Sequence, residues 1–175
     1  MITSPRTLRL AVAISVATLV HFSPATLAAE DNAPREIMWD ALIPEDWTPP
    51  PPAGFDSFFD DDPTAPAASQ SMPDAPVVTA LDGQLVRLPG YIVPLTLDGE
   101  DLVEFLMVPY LGACIHVPPP PSNQIVHVTL KEPIKLETIY EPFWVTGTLR
   151  TSRVASQLAT ASYSMDGTGL QKYVY

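Results

Sequence analysis

The chain contains a single cysteine, Cys114, and only three histidines, His21, His116 and His127, in 175 residues. One cysteine cannot close an intramolecular disulfide, so in an oxidising compartment the thiol must be buried, metal-bound, paired with another molecule, or reactive. Basic residues are equally scarce, with nine Lys and Arg against twenty Asp and Glu. A surface of that sign repels nucleic acid and anionic headgroups, which excludes those partners. Long apolar runs are missing except near the N-terminus, where Leu10 to Phe22 carries no acidic residue. That run falls short of the ~20 residues a bilayer span needs.

What is present begins with this same run. Arg6 and Arg9 precede it, and Ser23, Pro24 and small residues follow it. The pattern is that of a secretory signal peptide, residues 1–28, cut after Ala28 or Ala29, with Thr26-x-Ala28 the better match to the small-x-small rule. The expected location is the periplasm, as a soluble protein with no membrane anchor after cleavage. A lipid anchor would need a cysteine at the new N-terminus, and Cys114 is too far away. Loss of Arg6 and Arg9 leaves seven basic against twenty acidic residues, a net charge near −13. The acidity is uneven: Glu30 to Asp74 holds eleven carboxylates and one basic residue, and the chain from Ala75 onward nine against six.

Residues 29–44 read as a short structured leader, in which Ile37, Trp39 and Leu42 are available for burial and Pro44 ends a helical turn. Residues 45–76 are rich in Pro and Asp and read as an extended acidic linker, with Phe55, Phe58 and Phe59 as candidates to pin it down. From residue 77 to 175 the pattern changes to short β-rich runs: 84–88, 90–95, 103–108, 124–130, 143–151 and 159–165, with a hairpin signal at Leu97-Asp98-Gly99-Glu100. No stretch there carries a 3.6-residue period, and only 153–160 has room for a turn of helix. The expected fold is all-β, a small closed barrel or sandwich with strands kinked at Gly90 and Gly147. It resembles the oligonucleotide/oligosaccharide-binding barrels, without the basic aromatic groove that single-stranded nucleic acid requires.

The residues with chemistry cluster in Gly112-Ala113-Cys114-Ile115-His116-Val117 and the four prolines after it, Pro118, Pro119, Pro120 and Pro121. On an extended strand Cys114 and His116 would emerge on one face. A thiolate beside an imidazole suits zinc first and copper second. His127 supplies a third donor if its strand pairs antiparallel with the 107–116 segment, and Met107 and Met165 are softer alternatives. The same pair reads equally as core and turn, since cysteine behaves as a small buried hydrophobe. A Cys-His nucleophile and base is the third reading, although no orienting residue is marked. The prolines form a stiff connector without backbone donors, and Asn123 and Gln124 can hold the turn through side-chain bonds to backbone.

The block Gly112 to Val126, with Gly90 to Leu95, Phe105 to Tyr110 and the leader Trp39-Asp40-x-Leu42-Ile43-Pro44, resembles a bacterial domain-of-unknown-function family of exported proteins. The resemblance implies periplasmic proteins or lipoproteins, encoded beside ABC-transporter components, some of them associated with zinc acquisition. It makes Cys114 and His116 the matching positions for any metal contact. The chain has no His-rich loop, so it departs from proteins that store zinc at high capacity. The resulting expectation is a non-catalytic periplasmic accessory or binding protein, metal-handling or else a metal-free interaction module, with transporter components or another periplasmic protein as partner. Mass spectrometry of the chain recovered from the periplasm is expected to place its first residue at Ala29; retention of residues 1–28 would remove the export reading.

Overall fold

In a computed structural model, which describes residues 33–49, 75–114 and 120–174, the chain from Leu85 runs extended for fourteen residues. Its alternation buries Val86, Leu88 and Ile92 on one face. Five long strands share that pattern: β2 (Leu85–Asp98), β3 (Asp101–Val108), β4 (Val126–Lys135), β5 (Phe143–Arg150) and β8 (Tyr163–Lys172), with β1 (Arg35–Glu36) before them. Two short strands, β6 (Val154–Ala155) and β7 (Thr160–Ala161), form a separate hairpin between β5 and β8. The spatial order is β2-β3-β4-β8-β5, and β5 pairs back onto β2, so the five strands close into a barrel. The β4–β8 pairing is parallel; the other four barrel pairings are antiparallel. This is the small closed barrel expected from the strand pattern, and there is no α-helix among the described residues.

Closure rests on β2, which pairs with β5 over Leu85–Gly90 and with β3 from Tyr91 to Asp98. The sequence predicts a break at Pro89-Gly90; the chain instead bends there without leaving the sheet. Proline is tolerated because β2 changes partner at this point, where its missing N–H interrupts no continuous ladder. At the second kink a Cβ on Gly147 would sit 2.5 Å from the Asp166 carbonyl oxygen, so only glycine lets β5 approach β8 at their bulge.

The barrel interior is apolar, built from Val86, Leu88, Ile92, Phe105, Met107, Val126, Val128, Val145, Leu149, Tyr163 and Met165. The leader completes this core. Ile37 and Leu42 belong to the same cluster, and a 3-10 turn at Trp39–Leu42 lets the Trp39 indole donate to the Pro89 carbonyl at 2.6 Å. A turn at Ser122–Gln124 fastens the N-terminal segments: Gln124 Nε2 donates to the Trp39 carbonyl at 2.8 Å, Asn123 Nδ2 to the Pro76 carbonyl at 2.9 Å, and the Ala75 amide to Ser122 Oγ at 2.9 Å. Glu45 to Pro49, Ala75 and Pro76, expected in the linker, therefore flank it as described chain. Residues 50–74, with Phe55, Phe58 and Phe59, and the signal segment 1–28 lie outside the described residues.

One expectation needs correction. Residues 153–160 form no helical turn but the β6–β7 hairpin, because Ser156 closes a tight turn: its hydroxyl donates to the Ala159 carbonyl at 2.8 Å and accepts from the amides of Leu158 and Ala159. A side chain that satisfies its own turn competes with helix in this way.

Tyr163 is wholly buried, and its hydroxyl donates to the Leu42 carbonyl at 2.9 Å while accepting from the Val78 amide at 2.6 Å. Removing that oxygen strands two backbone groups. Tyr163→Phe is expected to cost about 1–3 kcal/mol, read as a lower urea midpoint at unchanged slope; an unchanged midpoint would show that the hydroxyl's bonds to Leu42 and Val78 add nothing to stability.

Candidate functional site

β3 and β4 pair antiparallel with Leu106 opposite His127 and Met107 opposite Val126. The His127 strand is antiparallel as expected, but its partner is Asp101–Met107, and only Met107 belongs to the expected 107–116 segment. The register sends alternate residues to opposite sides. Met107 and Met165 point into the barrel core, buried at 0% and 1% exposure, away from any shared site with His127. Glu104, Leu106 and Val108 of β3, and Ile125 and His127 at the start of β4, share the outer face.

That outer face has two halves. In the first, Val93, Leu106, Val108, Ala113, Cys114, Ile125 and Ala161 form a compact apolar cluster. Cys114 is not on an extended strand, as the same-face argument requires, but in a turn at φ 67° after Gly112 at φ 84°. Its burial pushes the thiol from the ordinary 9.0 up to about 11. Tyr110 is close enough that burial, and then the Cys114 charge, raise its phenol above 10.0. A thiol so placed is protonated at neutral pH and is not a ready nucleophile. His116, Pro118 and Pro119 lie outside the described residues; Pro120 is buried, and Pro121 is extended at φ −52°, ψ 150°.

The second half is polar. His127, its side chain 9% exposed, places Nε2 2.8 Å from Glu104 Oε1, and Thr96 Oγ1 donates to Glu104 Oε2 at 2.8 Å. Glu104 stands opposite Thr96 on β2 and Thr129 on β4, so His127 reaches it on the diagonal of the ladder. Over this trio lies the β6–β7 hairpin. Between them is a cavity of about 450 Å³, lined by Pro94, Leu95, Thr96, Glu104, His127 and the hairpin residues Val154–Leu158. The hairpin is held down by Ala161 in the apolar cluster, by the Ser162 amide on the Ser122 carbonyl at 2.8 Å, and by Ser162 Oγ on Ser122 Oγ at 2.7 Å.

Of the three metal candidates, then, Cys114 sits in an apolar cluster and His127 is committed to a carboxylate. Among the described residues no three His, Cys, Asp or Glu side chains gather where an ion could be held. Asn123 and Gln124 bond backbone carbonyls as expected of turn residues, but their targets are Pro76 and Trp39, segments 47 and 85 residues away. Sequence reading missed Glu104 and Thr96. The available signal was a carboxylate interrupting the apolar strand Val103–Val108, in phase with two outward hydrophobes.

A family model described as "Protein of unknown function (DUF3299)" matches residues 39–172, from the leader tryptophan to the end of β8. The chain belongs to the DUF3299 family. It is also similar to the crystal structure of a DUF3299 family protein from Pseudomonas aeruginosa PAO1, at 46% identity and a TM-score of 0.72, over 82% of this chain and 98% of that one. No curated protein matches it. The DUF3299 match takes in the leader from Trp39 onward, with its core residue Leu42, and every barrel strand.

The raised thiol has a sign that can be checked. The folded state holds the Cys114 proton more tightly than the unfolded chain, so its contribution to stability is full below pH 9 and is lost as pH rises from 9 towards about 11. Native Cys114 is expected to resist iodoacetamide at pH 7 and to label freely in urea. Equal rates in both would overturn the buried placement.

Proposed function

We propose that this protein is an exported, non-catalytic binding protein that serves as an accessory to ABC-type transporter components, and that its ligand seat is the cavity between the outer barrel face and the β6–β7 hairpin. The export part rests on the basic-then-apolar N-terminal segment and on the resemblance described above. The seat rests on one observation: a cavity of about 450 Å³ whose floor carries a preassembled Thr96-Glu104-His127 network. That volume lies within the ~300–1,000 Å³ of small-molecule sites, which combine apolar walls with a few fixed polar groups. The outer strands of such barrels, with the loop before the last strand, are also where the fold presents its ligands.

The non-catalytic reading is supported by the state of the one thiol, protonated and packed among Val93, Leu106 and Val108. The zinc-handling form of the proposal would need Cys114 as a thiolate beside further donors. Its burial and apolar neighbours oppose that, and the seat is accordingly assigned to an organic ligand.

A small-fragment panel followed by ¹H–¹⁵N NMR tests the seat on the mature chain. Hits are expected to move the amides of Leu95, Thr96, His127 and Val154–Leu158 together. Hits confined to other surfaces, or none at all, would overturn it.

A further inference from the structure

The cavity floor carries one carboxylate, Glu104, and from it we infer the ligand class: a small organic cation, a primary ammonium or guanidinium on a short alkyl arm. The inference rests on the seat proposed above. The Thr96 hydroxyl spends its only proton on Glu104 Oε2. His127 donates Nε2–H to Glu104 Oε1. Each Glu104 oxygen keeps a further acceptor position, and the side chain is 34% exposed where it lines the cavity. Glu104 thus offers the cavity open acceptor positions, and the ligand must bring the donors to them.

Charge selects further. The cavity lining includes one carboxylate and neither Lys nor Arg. A cation finds a counter-charge there in Glu104. Hydrogen bonds to a charged group are the stronger kind, and Glu104 can accept two from a guanidinium or ammonium without giving up Thr96. The walls fit the rest of such a molecule: Pro94, Leu95, Val154, Ala155 and Leu158 are apolar and suit methylene groups. The hairpin over the floor favours a free small molecule above a side chain offered by a folded protein. A divalent metal would find two side-chain donors besides a hydroxyl already engaged, too few for the usual closed protein shell.

The test titrates the mature chain separately with cadaverine, agmatine, 1-pentanol, glutarate and zinc chloride, following the amides of Thr96, Glu104, His127 and Val154–Leu158. Cadaverine or agmatine is expected to move them saturably and pentanol only weakly. Glu104→Gln should weaken the diamine at least ~tenfold, Glu104→Asp should recover part of the loss, and added salt should reduce affinity. Silence of both cations up to about 10 mM overturns the inference. So do tighter binding of glutarate or zinc at these amides, and a Glu104→Gln variant that binds unchanged. If glutarate or pentanol binds while the cations do not, the seat stands and only the ligand class falls. If fragments bind only elsewhere, the seat itself falls.

Discussion

Three consecutive residues, Ser122, Asn123 and Gln124, hold together segments that the chain itself keeps far apart. Gln124 takes the leader at Trp39, Asn123 and Ser122 take the returning chain at Pro76 and Ala75, and the Ser122 carbonyl takes Ser162 at the base of the hairpin. Ser122 and Asn123 are buried and Gln124 half-buried, so a lost partner at the buried pair would leave an unsatisfied group costing about 1–3 kcal/mol. Tyr163 repeats the pattern one layer deeper, joining Leu42 to Val78. The leader contributes Ile37 and Leu42 to the core, and the turn keeps them there.

The outer face follows from the same fastening. β7 lies where it does because Ser162 is bound to Ser122 and Ala161 is packed against Leu106 and Val108. That position creates the cavity, with Glu104 and His127 as its floor. Apolar and polar halves of one sheet face thereby take different roles. The half containing Cys114 is packed and dry. The half containing His127 stays open, because a hairpin laid across a twisted barrel touches it along one side only.

Much of the fold was legible in the sequence, and the reasons are local. The alternation around Phe105, the Asp98-Gly99 turn and the absence of helical period specify strands and a hairpin directly. Gly147 is readable as a kink because its carbonyl neighbour leaves no room for a Cβ. Pro89 misled because proline breaks a central strand, and only the partner exchange of β2, a property of the closed barrel, makes it harmless. The site was less legible. Cys114 and His127 stood out by rarity, but the β3–β4 register pairs His127 with Leu106 and not with the 107–116 segment. The left-handed turn that takes Cys114 off the strand has no clear sequence mark beyond Gly112. Glu104 looked like an ordinary exposed carboxylate. Its importance arises from a diagonal contact across two strands and from a hairpin 50 residues further along the chain.

The bond between Tyr163 and Leu42 joins residues 121 positions apart. Its formation has a temporal meaning. The leader is made first, yet its docking surface includes the last strand, so no N-terminal fragment of the chain can complete the core. Folding that waits on such distant contacts is slow, since loop closure must precede the contacts that reward it. Trp39 can meet Pro89 and Gln124 as soon as those residues are made, whereas the Leu42 carbonyl gains its Tyr163 partner only when β8 arrives.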